Sequence, residues 1–200
     1  MAATYDYVTF TLERARPIWT TFSANMRDGI RRAISDAGGE LLGHFAPQLG
    51  FASNEATALV RWRAGRKPLP RELTHAQGVK DARVLALSPT ARPNDDQPFR
   101  AGGIYVHRWF MIDGDSVDTF VDLSTRAWVG FEGSYDTEIF GLFVVDEPKG
   151  DVAELLLLTW YKDHGAWEAS REQAQNAQSL FAQRHKLTRM TIGRSSILVA

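Results

Sequence analysis

Two stretches decide the fold: Tyr5-Asp6-Tyr7-Val8-Thr9-Phe10-Thr11-Leu12, and Gly103-Ile104-Tyr105-Val106-His107-Arg108-Trp109-Phe110, which lies 98 positions later. Without a gap, Tyr7-Val8 falls on Tyr105-Val106. The same offset carries Thr21-Phe22 onto Thr119-Phe120, Glu40 onto Glu138, Gly43 onto Gly141, Phe45 onto Phe143, Leu59 onto Leu157 and Trp62 onto Trp160. These are nine identities over the 58 positions from Tyr5 to Trp62, where chance gives roughly three or four. Most are aromatic, glycine or aliphatic, the residue types that build cores, so the chain reads as one unit copied once.

Each copy spells out the same order of elements. Tyr7 to Leu12 alternates β-branched and aromatic residues, which predicts a strand. Pro17 suits a first helical turn, and Ile18, Phe22, Met26, Ile30 and Ile34 step by four until Gly38-Gly39 ends the pattern. Strands are expected at Glu40 to Gln48, Ala56 to Trp62 and Arg83 to Leu87, with a short helix near Glu72 to Gly78. In the second copy, strands are expected at Gly103 to Ile112, Glu138 to Val145, Val152 to Tyr161 and Met190 to Val199. One helix is expected after Asp113-Gly114-Asp115-Ser116 and another over Ala166 to His185, a stretch rich in Ala, Gln, Glu and Arg. Both copies are βαββαβ, the ferredoxin-like unit. Residues 1–88 form the first and 102–200 the second; 89–101, with Pro89, Pro93, Pro98 and the run Asn94-Asp95-Asp96, read as a linker.

A ferredoxin-like sheet covers one face with its helices and leaves the other bare. Leu155, Leu156, Leu157 and Leu158 offer no polar side, so the bare face of one sheet is expected to pack on the other. The predicted fold class is α+β: two tandem ferredoxin-like repeats forming an intramolecular version of a dimeric α+β barrel.

Composition narrows the function. Lys and Arg number 23 against 24 Asp and Glu, so there is no field to attract nucleic acid or an anionic membrane. The absence of cysteine removes disulfides, thiolate metal sites and thiol nucleophiles. Met1 to Phe10 carries no basic leader or apolar segment, and no apolar run approaches the ~20 residues that span a bilayer, which predicts a cytoplasmic protein. No Walker, GxGxxG, HExxH or GxSxG motif occurs, and Asp113 to Ser116 lacks the rest of a calcium loop. The basic run Arg61 to Lys67 reads as a solvated strand exit.

The run Ile104 to Ile112 with Gly114 after it resembles the opening strand of NIPSNAP-family domains, whose pattern is Ile-Tyr, then Arg, an aromatic, an aliphatic and a turn glycine. Phe120 and Leu123 match the apolar face of that family's first helix, Ile139 to Phe143 its second strand, and Trp160-Tyr161-Lys162-Asp163 its third strand's exit. The likeness covers about half the chain. It departs from the pattern where Trp160 adjoins Tyr161 and where the last helix lacks the usual Pro-containing Trp segment. The resemblance implies an α+β barrel that assembles into a homodimer, and it brings no catalytic set.

Alternation places Val8, Phe10 and Leu12 toward the helices and Tyr7 toward the barrel interior, where the offset adds Tyr105, His107 and Trp109. His44 is grouped with them from the second strand. These residues predict a barrel site for a small apolar or aromatic molecule, or else a solid core. Under an alternative reading the chain is a monooxygenase or haem-dependent oxidoreductase with His107 and Tyr105 as catalytic groups; under another it is a non-catalytic structural or interaction protein. No cofactor is required by the sequence. Haem enters because some two-repeat barrels bind it through an axial histidine, although His164 and His185 read as helix ends and His75 as loop. Arg108 shares the helix-facing side with Val106 and Phe110. It is expected to pair with Glu138 or Asp163, or else to contact an anionic ligand.

Overall fold

The computed structural model describes residues 3–14, 18–93, 97–148, 150–172 and 175–199. The expected Pro17 turn and the run Asn94-Asp95-Asp96 lie outside these residues. The chain divides into two compact units, one of Met1–Ser88 with Ser196–Ala200 and one of Pro89–Ser195.

In the first unit, β1 (Thr4–Leu12), β2 (Gly39–Leu49), β3 (Glu55–Trp62) and β4 (Val79–Pro89) lie in the order β4-β1-β3-β2. The second unit has the same order, β8-β5-β7-β6, from β5 (Ile104–Asp113), β6 (Thr137–Val145), β7 (Val152–Tyr161) and β8 (Thr188–Val199). This is the ferredoxin-like strand order, and the α+β class expected from the duplication is the class observed. The helices of the first unit are α1 (Ile18–Asn25), α2 (Arg31–Asp36) and α3 (Arg71–Thr74); those of the second are α4 (Val117–Glu132), α5 (His164–Ala169) and α6 (Gln175–Lys186).

Apolar spacing explains an irregularity in the first unit. Phe22, Met26, Ile30 and Ile34 recur every four residues, whereas an α-helix turns in about 3.6, so a regular helix would rotate the later ones off the buried stripe. Between α1 and α2 the chain takes a π-helical turn, Met26–Ile30, whose wider winding keeps all four side chains buried. They pack on Val8, Phe10 and Leu12 of β1 and on Ala56, Ala58 and Val60 of β3. In the second unit α4 mixes three- and four-residue steps, Phe120 to Leu123 to Ala127 and Ser124 to Trp128 to Phe131, and stays regular. Its core takes Ile104, Val106, Phe110 and Ile112 from β5 and Leu155, Leu157 and Tyr161 from β7.

The ladders show where the 98-residue offset holds. β2 meets β3 at Gly39↔Trp62, bulges between Leu41 and Gly43, and resumes at Gly43↔Leu59. β6 meets β7 at Thr137↔Tyr161, bulges between Ile139 and Gly141, and resumes at Gly141↔Leu158. The bulges are 98 positions apart, but Leu59 answers to Leu158, 99 positions on. Tyr7 pairs with Leu59 and His107 with Leu158, so those two correspond at 100. A drift of two keeps strand parity, and Tyr105, His107 and Trp109 stay off the helix side. A drift of one inverts it: Trp62 belongs to the helix-side core, whereas Trp160 does not and donates its Nε1–H to the Gly102 carbonyl at 2.8 Å.

The segment expected as a linker is tied to the second unit. Thr90 donates its N–H and its hydroxyl to the Leu142 carbonyl, Arg92 forks onto Glu132, and the Phe99 ring stacks on Phe140 at 4.0 Å.

Candidate binding site in the second unit

The residues expected around a barrel site are placed as follows. Tyr7, Tyr105, His107 and Trp109 are all buried, on the strand faces turned away from the helices. The Tyr105 hydroxyl donates to the Arg100 carbonyl at 2.9 Å, its ring meets Phe99 edge to face, and burial pushes its ionisation well above the usual phenol range. His107 is wholly buried; loss of water, and then the charge of Arg194, lower its pKa to about 3, so it is a neutral imidazole at pH 7.

His44 is placed elsewhere. It follows the β2 bulge, pairs with Ala58, and turns toward the helices, where its ring meets Phe22 edge to face. Its position 98 residues on, Leu142, is likewise in a helix-side core. Both His44 ring nitrogens are buried with no hydrogen-bond partner, and burial with Arg31 and Arg27 nearby lowers its pKa to about 4.

The expected ion pair of Arg108 does not form. Glu138 is engaged by Gln97 and Arg100, and Asp163 caps α5 by accepting the Ala166 N–H. Arg108 points instead into a cavity of about 770 Å³ that lies wholly within the second unit, between its sheet and its helices. Strand alternation builds the floor, because Arg108 and Phe110 of β5 and Leu157, Thr159 and Tyr161 of β7 all face the helices. Trp128 and Phe131 of α4 form one wall, Phe181 and Arg184 of α6 another, and Trp167 and Ser170 a third. Thr188, Thr191 and Gly193 of β8 complete the lining, with exposed Arg171 and His185 at the rim.

The polar lining is one-sided. Arg108, Arg171 and Arg184 all contribute, and among the described residues no Asp or Glu does. Arg184 is 8% exposed and lies over the rings of Phe181, Phe110 and Phe120 at 4.7, 5.1 and 5.4 Å. It donates to Ser124 Oγ at 3.4 Å, and among the described residues no carboxylate pairs with it or with Arg108. Burial, reinforced by the charge of Arg108, lowers its pKa to about 9. Burial pushes the ionisation of the Tyr161 phenol up, against a smaller opposing effect of the Arg108 charge. The indole N–H groups of Trp128 and Trp167 are buried with no acceptor among the described residues. Sequence reading reached Arg108 by parity. It passed over Arg184, Trp128 and Tyr161, because distant elements bring them to one place.

No family model matches the chain, and no curated protein does. Solved structures match over its whole length. An anthrone oxidase-like protein superposes with a TM-score of 0.63 at 12% identity, over 100% of this chain and 92% of its own. An uncharacterised ferredoxin-fold protein from Listeria monocytogenes, related to antibiotic biosynthesis monooxygenases, gives 0.54 at 8% over 100% and 96%. The siroheme decarboxylase NirDL, in complex with an iron-uroporphyrin III analogue, gives 0.53 at 10% over 97% and 71%. The chain therefore shares the ferredoxin-like α+β fold of these proteins. Among the described residues no helix is long and apolar enough to cross a membrane, and no group of three or more His, Asp or Glu side chains is placed to hold a metal ion.

Proposed function

We propose that the protein binds a small molecule with an apolar or aromatic body, and that the site is the helix-side cavity of the second unit. The observation that carries this reading is the cavity itself: about 770 Å³, walled by Phe110, Trp128, Phe131, Trp167 and Phe181 with a few polar groups between them, the usual make-up of a small-molecule site. The resemblance of Ile104 to Ile112 and of Trp160 to Asp163 to NIPSNAP domains fits a ligand-binding α+β protein and brings no catalytic set with it.

A neutral dye such as N-phenyl-1-naphthylamine is expected to brighten saturably with the native protein. Leu157→Trp, which fills the cavity from its floor, is expected to abolish the signal while the chain stays folded. An absence of saturable binding to the native protein, or its survival in the filled variant, overturns the reading.

A second reading, an oxidoreductase, is favoured by the monooxygenase-related and tetrapyrrole-bound neighbours. The aromatic walls and the guanidinium groups suit the flat ring and carboxylates of a haem. His185 is the lining imidazole available to its iron, and a haem would supply redox chemistry there. His107 and Tyr105, the catalytic groups expected from sequence, lie on the opposite face of β5 from this cavity and do not line it. Addition of haemin with no Soret shift that depends on His185 counts against it.

A further inference from the structure

Resting on the cavity as the binding site, we infer that its ligand is an organic acid whose carboxylate sits between Arg108 and Arg184 and whose aromatic or aliphatic body lies against Trp128, Phe131 and Phe181. A guanidinium removed from water is costly unless an anion and hydrogen-bond acceptors replace the solvent. Arg184 is more than nine-tenths buried, yet the described residues offer it only one serine oxygen and three ring faces. Among the described residues Arg108 on the floor has no carboxylate either, and none of those lining the cavity is an acid that could neutralise the pair. Two like charges that share one low-dielectric space repel, and one anion between them relieves both.

The neutral donors point the same way. The rings of Trp128 and Trp167 line the cavity, and their buried indole N–H groups have no acceptor among the described residues. The charged groups described in the lining are all donors, and its Thr, Ser and Tyr hydroxyls can donate too, which matches a carboxylate, a group with four lone-pair positions and no proton to give. Bare phosphate would satisfy the charges but leave the five aromatic rings of the walls without a partner. The aromatic lining therefore favours an acid carried on a carbon framework.

The test compares 2-naphthoic acid, its neutral isostere 2-naphthamide and inorganic phosphate, by calorimetry and tryptophan fluorescence, on the native chain and on Arg184→Met and Arg108→Met. The acid is expected to bind roughly ten-fold or more tightly than the amide, as charge-assisted hydrogen bonds require. In either variant this preference should collapse toward unity while the amide keeps its affinity. Arg184→Met should also melt at a higher temperature than the native chain, since it removes a buried charge that lacks a counter-ion. Arg184→Lys, which retains a charge, covers the case in which the methionine variant does not fold, and should keep a reduced preference for the acid. Equal binding of acid and amide to the native protein overturns this inference while leaving the cavity reading intact. Binding of neither overturns both. Phosphate binding as tight as the acid's overturns the organic class.

Discussion

Acidification is expected to destabilise the protein well before its carboxylates protonate. His44 and His107 are neutral in the fold, with pKa values lowered to about 4 and about 3 from an ordinary 6.5. Below pH 6.5 the unfolded chain takes up protons that the folded chain refuses, so stability falls with pH. The loss begins near 6.5 and continues until each folded pKa is reached. At about 1.4 kcal/mol per unit, His44 contributes a loss on the order of 3 kcal/mol by about pH 4, and His107 somewhat more by about pH 3. Either is a large part of a typical domain's stability. Urea unfolding at stepped pH reads the effect, and His44→Leu separates its source. Leucine already occupies the equivalent β6 position as Leu142, and it removes two unpaired ring nitrogens, so the variant should be at least as stable as the native chain at neutral pH and lose less on acidification. A variant as acid-sensitive as the native chain would remove His44 from the account.

Gly103→Ala is expected to cost about 3 to 5 kcal/mol, and Gly102→Ala next to it only about 1 to 2. Both glycines have positive φ, 66° and 73°, which strains any residue with a Cβ. At Gly102 nothing lies within 4 Å of the added carbon. At Gly103 the carbon would overlap the Tyr161 carbonyl oxygen and come within 2.6 Å of Trp160 Nε1. The collision falls on backbone and on an indole already fixed by its hydrogen bond to Gly102 and by Arg100, whose guanidinium lies 3.8 Å from the ring. Neither partner can yield cheaply. Denaturant midpoints of the two variants give the comparison, and equal losses would show that backbone strain alone governs this turn.

The strands, helices and copied topology were legible in the chain because they depend on local periodicity and on identities at core positions. Faces were legible only as far as strands ran without interruption. β5 is unbroken, so Tyr105, His107 and Trp109 could be placed together and Arg108 opposite them. β2 is interrupted between Leu41 and Gly43, and His44 just beyond the bulge joins the helix side instead of the interior. The ungapped match of Trp62 to Trp160 misled for a related reason, since the ladder there has slipped by one residue. The cavity was the least legible feature. Arg108 and Arg184 are distant in sequence, and no spacing rule announces that neither has an acidic partner among the described residues. Arg184 reads from sequence as a basic residue closing a helix, an ordinary complement to its dipole.

The paired bulges also bear on ancestry. A strand gains a bulge when one residue more stands on it than on its neighbour, and a bulge is typically kept within a family. Here it lies at Leu41 to Gly43 and at Ile139 to Gly141, 98 positions apart, where the copies align without a gap. A bend already present in one unit before it was copied predicts this coincidence. The one- and two-residue slips fall in the neighbouring strands, so the two halves agree at the bend and differ around it.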